Sequence, residues 1–230
     1  MNNLIKNVRT QLNDLASEKL KTFASAIVKN KHPMIGVSIP NLRRLAKTIS
    51  KTNAEEFLKS NPMQFYEEVL LQGFVIGYSK LNVELKFECL KKFIPVISDW
   101  SECDSVVATL KFFAKNKTDV YKFLETYFSS ESEFEKRFSI ICYLTYFLTD
   151  DFIDVVLEKL VNVKSGFYYV NMAVAWALSV CFVKYYNKTF AVFKNCELND
   201  FTFNKTIQKC VESFRITENQ KAELKLLKRK

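Results

Sequence analysis

The chain has 230 residues, 48% of them hydrophobic, with only four glycines and four prolines, too few turn formers for a β-sandwich or an α/β fold of this size. A formal charge of +9 and a pI near 9.1 favour an anionic partner, nucleic acid before others. No apolar run reaches the roughly 20 residues of a membrane span, and the opening MNNLIKNVRT lacks an apolar signal region, so a cytoplasmic chain without membrane attachment is expected.

Helical periodicity dominates from the start and predicts amphipathic helices over 2–14 and 17–30. HPMIGVSIP, 32–40, holds two prolines and a glycine and reads as a connection. Pro40 then opens NLRRLAKTIS, and Asn61-Pro62 repeats the signal before MQFYEEVLLQGFVIGYS. Leu85, Phe87, Leu90, Phe93 and Ile94 stripe the next helix, which ends near Pro95. A further helix is expected from Trp100 to about Lys115, then shorter ones over 118–128, 131–148 and 151–162. The longest spans 166–186, and its segment AVAWALSVCFV reads as buried. The tail supplies one helix over 201–213 and a last one behind the capping box Thr217-Glu218-Asn219-Gln220. The expectation is an all-α chain of about a dozen helices, with no composition shift to divide residues 1–230 into domains.

Six cysteines form no C-x-x-C pair, and the single histidine, His32, lies far from them, so no zinc site or other cofactor is expected. Several cysteines fall on apolar faces, as reduced thiols do in a reducing compartment. The basic residues recur along the chain, as Arg43, Arg44, Lys47 and Lys51, then Lys111, Lys115 and Lys117, then Lys205 and Lys209. That spread fits a folded basic face better than a disordered arm. Trp100, Arg137 and Trp176 follow one another at intervals of 37 and 39 residues. Helix-pair solenoids repeat at roughly 34–47 residues, and the second helix of each pair lines one concave face.

The stretch SDWSECDSV, 98–106, poses the central question. Ser101-Glu102-Cys103-Asp104 fits a helix-start pattern, which would make Asp104 a structural acid in a first turn. Asp104 also follows Trp100 by four residues, the spacing of one helical face, where a carboxylate and an indole could act together. Trp100 could staple its helix, Trp176 could be core, Arg137 a solvated charge, and Tyr168 and Tyr169 packing residues.

Five segments in order resemble the DNA alkylation repair proteins with HEAT-like repeats, the AlkD-like glycosylases: GVSIPNLRRLAKTI, DWSECDSV, FEKRFSI, YYVNMAVAWALS and NKTIQKCVESFRITENQK. The resemblance implies a HEAT-like helical-repeat solenoid whose concave basic face grips double-stranded DNA, alkylated or branched, as a monomer. It implies an alkylpurine DNA glycosylase in which Asp104, Trp100 and Trp176 are catalytic. Arg137 would contact the DNA backbone, with Arg43, Arg44, Lys47, Lys205 and Lys209 on the basic face. Three departures accompany it. Residues 25–37 are broken by His32-Pro33 where active relatives carry a helix, the interval from Gly36 to Trp100 is shorter, and Ser179 stands where they have an arginine. A non-catalytic DNA-binding paralogue, or a helical-repeat scaffold for proteins, are the alternative readings.

Overall fold

A computed structural model describes residues 2–28 and 31–230, and the chain forms two compact units, Met1–Asn116 and Lys117–Lys230. Every regular element among the described residues is helical.

The first unit opens with α1 (Asn3–Asp14), capped by Asn2, which buries Ile5, Val8 and Leu12 along one stripe. The next helix, α2 (Glu18–Ile27), is capped by Ser17 and buries none of its residues. Ser38 caps α3 (Ile39–Thr52), and Pro40 sits in its first turn as expected. Leu42, Leu45, Ala46 and Ile49 of α3 face inward, leaving Arg44, Lys47 and Lys51 exposed. A short helix that periodicity missed, α4 (Ala54–Ser60), precedes α5 (Tyr66–Tyr78), which is buried all round from Tyr66 to Ile76. Next come α6 (Val83–Phe93), a 3₁₀ turn over Ile94–Val96 around Pro95, and α7 (Trp100–Val107).

Two expectations for this unit are corrected. Pro62 does not open α5: Met63 takes φ of 50°, and the Glu68 carboxylate accepts from Gln64 N at 2.8 Å and Phe65 N at 3.3 Å, which delays the helix to Tyr66. The helix starting at Trp100 does not reach Lys115. Thr109 turns both its backbone N–H, at 2.8 Å, and its hydroxyl, at 2.7 Å, onto the Val106 carbonyl, which closes α7. A separate 3₁₀ turn over Lys111–Lys115 follows.

The second unit comprises α8 (Lys117–Phe128), α9 (Glu133–Tyr146), α10 (Ile153–Val161), α11 (Tyr168–Lys184), α12 (Tyr186–Phe193), α13 (Asp200–Glu212) and α14 (Glu218–Leu226). Its longest helix is α11, with 17 residues; α12 is a separate helix beyond it, and α14 starts on the expected Thr217/Gln220 capping box.

Within each unit alternate helices pack in rows, the arrangement of helix-pair repeats. In the first, α5 lies between α3 and α7 and carries α4 and α6 on its other side; in the second, α11 lies between α9 and α13, with α10 and α12 forming the neighbouring row. Gly73 of α5 makes the contact with α7 close: a Cβ there would stand 2.3 Å from a Val106 methyl. All six cysteines are thiols, four of them (Cys103, Cys142, Cys181 and Cys210) buried. No helix among the described residues is long and apolar enough to cross a membrane.

Candidate functional site

The start of α7 answers the question its sequence poses. Asp99, not Asp104, is the cap: its Oδ1 accepts from Ser101 N at 2.6 Å, Glu102 N at 3.1 Å and the Ser101 hydroxyl at 2.6 Å. The Ser101 hydroxyl also shares a 2.6 Å hydrogen bond with the Tyr66 phenol of α5. Glu102 Oε2 accepts from Ser98 N at 2.8 Å, tying the residue before the cap to the first turn, two residues ahead of the start the sequence suggested. Burial pushes the Asp99 carboxyl above its ordinary range, against the pull of these hydrogen bonds and helped by the charge of Asp104. Asp104 therefore lies mid-helix, half-exposed, one turn beyond the half-exposed Trp100 and on the same face.

Helix α3 brings a cation against α7. Arg43 Nη2 donates to the Ser105 carbonyl of α7 at 3.3 Å, and its guanidinium lies 5.2 Å from the centre of the Phe74 ring. Its Nε is buried without a hydrogen-bond partner among the described residues. Arg44 and Lys47 are exposed; Arg44 hydrogen-bonds Asn41 Oδ1, and the Lys47 ammonium stands 5.4 Å from the Tyr78 ring centre.

In the second unit the candidates occupy the α9, α11 and α13 row. Arg137 of α9 is only 5% exposed and donates Nη1 to the Tyr169 carbonyl at 2.7 Å, while Glu133 Oε1 accepts from Tyr169 N at 2.7 Å. These two side chains clasp the first turn of α11 from both sides of one residue. Trp176 is 39% exposed in an otherwise buried stretch of α11. Ser179 is buried and donates its hydroxyl to the Trp176 carbonyl at 2.7 Å, so its side chain supports the helix backbone. Trp176 and Lys209 line one hollow between α11 and α13. Lys205 is turned elsewhere: it donates to Gln208 Oε1 at 2.8 Å and lies 5.9 Å from the Phe201 ring centre.

The segment expected to depart from the family is a non-helical strap from Lys31 to Val37; Lys29 and Asn30 lie outside the described residues. Glu67 of α5, 1% exposed, secures it by accepting from Ile35 N at 2.9 Å, Gly36 N at 2.7 Å and Val37 N at 3.2 Å. Gly36 has φ of 104°, and a Cβ there would meet the Ser17 carbonyl at 2.6 Å, so glycine is required.

The sequence carried one signal that would have placed the α7 cap: Asp99-x-x-Glu102 is itself a helix-start pattern, overlapping the one that ends on Asp104. Glu67 carried none, because its partners are about 30 residues away. Residues 8–184 match the profile of the family described as DNA alkylation repair enzyme, which takes in the later part of α1 and all of α2 to α11 and leaves α12 to α14 beyond it. No curated protein matches the chain. With more than half of its length matched, the chain belongs to the DNA alkylation repair enzyme family.

Proposed function

We propose that the protein is an alkylpurine DNA glycosylase, binding double-stranded DNA and hydrolysing the N-glycosidic bond of cationic N3- or N7-alkylated purines. The observation that carries this is the division of labour on α7: Asp99 caps the helix, so Asp104 is not required at its start and stands half-exposed beside Trp100. Alkylation makes the purine a cationic leaving group. As its bond to the sugar breaks, positive charge builds on the deoxyribose, in an oxocarbenium-like state. The Asp104 carboxylate opposes that charge and orients the attacking water, taking up its proton. The indole face of Trp100 attracts the same cationic sugar, by about 0.5–2 kcal/mol. Trp176 offers a second indole to the DNA from the other unit. Arg44, Lys47, Lys205 and Lys209 supply charge for phosphates, with Arg43 held against α7 and Arg137 against α11.

The test is release of 7-methylguanine from methylated duplex DNA by the purified chain, compared with Asp104→Asn. Wild-type release with a loss of about 100-fold or more in the variant is expected. No release above background at high protein concentration refutes the glycosylase reading.

A second reading, a DNA-binding paralogue without excision, is favoured by the strap at 31–37 and by the hydroxyl of Ser179 bonded to its own helix. It expects salt-sensitive DNA binding with no base release.

A further inference from the structure

The hollow beside Trp176 holds the most exposed aromatic ring on the protein's surface. Phe214, in the turn between α13 and α14, is fully open to water at 102% relative exposure. A side chain of this size is ordinarily stabilised by burial. Left outside, it points to a partner that covers it.

What surrounds Phe214 identifies the chemistry of that partner. The hollow, about 420 Å³, is lined by Trp176, Ser179, Lys209, Glu212, Phe214 and Arg215 together with apolar α11 side chains. Two aromatic and two cationic residues thus line one concavity. Glu212, the one acid, accepts from Gln208 Nε2 at 2.8 Å on its own helix. Neither Lys209 nor Arg215 has an ion pair among the described residues, whereas Lys21, Lys59, Lys91, Lys159, Lys188, Lys221 and Arg229 each do. Phe214 comes from α13's exit turn, where Arg215 N donates to Ser213 Oγ at 3.2 Å. An apolar peptide would leave the cations unanswered, and an acidic one would leave the rings so. A planar base joined to a phosphate answers both.

We propose that this hollow receives one unstacked DNA nucleotide, its base laid against Phe214 and the Trp176 side of the cavity and its phosphate between Lys209 and Arg215. This deepens the DNA reading and rests on it. It adds Phe214 and Arg215, which follow the profile match over 8–184 and lie in the 204–221 segment noted above for its family resemblance, as residues that sense a base out of its stack. A paired, stacked base presents no face to Phe214, so the hollow discriminates in favour of DNA whose stack is already weakened.

The experiment uses the full chain and two 2-aminopurine duplexes of one sequence, one with the fluorescent base paired and the other with it as a single-nucleotide bulge. The wild-type protein is expected to bind the bulged duplex about tenfold more tightly, the range of one base–aromatic stack, and to quench its fluorescence. Phe214→Ala loses both the preference and the quenching; Phe214→Tyr keeps both. The proposal is overturned by a wild-type protein that binds the two duplexes equally, by a Phe214→Ala variant that retains preference and quenching, or by one that weakens on both duplexes alike. Failure of the wild type to bind either duplex overturns the DNA reading as a whole, an outcome distinct from binding without preference.

Discussion

Glu67→Gln isolates the role of one carboxylate in shaping the first unit. The native side chain receives three backbone N–H groups from the strap: Oε2 takes Ile35, and Oε1 takes Gly36 and Val37. Glutamine keeps a carbonyl oxygen for Gly36 and Val37 but turns an NH₂ group toward Ile35 N–H, donor against donor. The Ile35 bond is lost, about 1.5–3 kcal/mol for a hydrogen bond to a charged group, and the other two fall to neutral strength, about 0.5–1 kcal/mol less each. The expected sum is about 2.5–5 kcal/mol. Trp100 is the unit's only tryptophan, so urea unfolding followed by fluorescence in a Trp176→Phe background reports on this unit alone. With an m-value of about 2 kcal/mol/M, the midpoint should fall by about 1.2–2.5 M. Amide exchange at Ile35, Gly36 and Val37 should quicken about 100-fold or more. A midpoint shift below about 0.5 M with unchanged exchange at these amides would refute the anchoring role and leave the strap's course to its own sequence.

Arg137→Ala tests whether this residue acts first on α11: losing the buried bond to the Tyr169 carbonyl should lower stability by about 2–3 kcal/mol and the melting temperature of the second unit by about 10 °C, read from Trp176 fluorescence in a Trp100→Phe background. An unchanged melting temperature with weakened DNA binding would assign Arg137 to phosphate alone. Asp99 sets a pH dependence. Burial raises its folded pKa above the ordinary 3.8, so the folded chain holds this proton where the unfolded chain has released it. Its contribution is complete below about 4 and declines as pH rises through the higher folded value. Asp99→Asn keeps an oxygen for the cap without the charge, so the variant should gain on wild type as pH rises above about 4 in urea unfolding; parallel profiles would count against the burial argument.

Periodicity and breakers revealed most helices because those are local properties. The Leu42–Ile49 stripe, Pro40 and the Thr217 capping box are all written within one or two turns of chain. Legibility failed where a distant group intervened. The delayed start of α5 depends partly on the Pro33 carbonyl, which accepts from Tyr66 N at 3.1 Å, and the strap on Glu67. The close of α7 involves Thr109 seated against Gly77, a contact between residues some thirty apart. Of the candidate site, the Trp100–Asp104 spacing was plain from the sequence. That Asp99 would take the capping role was a choice between two overlapping patterns, decided by Asp99's hydrogen bonds to Ser101 and Glu102. Phe214 was hidden for the opposite reason: an aromatic residue in a sequence is ordinarily credited to the interior.

Burial of the thiols has a chemical corollary for a protein of this family. Cys181 and Cys210 are pushed up to about 12 by the apolar packing around them. At neutral pH only about one in 10⁵ of such groups is a thiolate, the form that attacks electrophiles. Reagents that methylate purines also methylate sulfur, and a DNA alkylation repair protein meets them wherever its substrate arises. Keeping these sulfurs protonated inside helix contacts makes them poor targets for the agents whose damage the family handles.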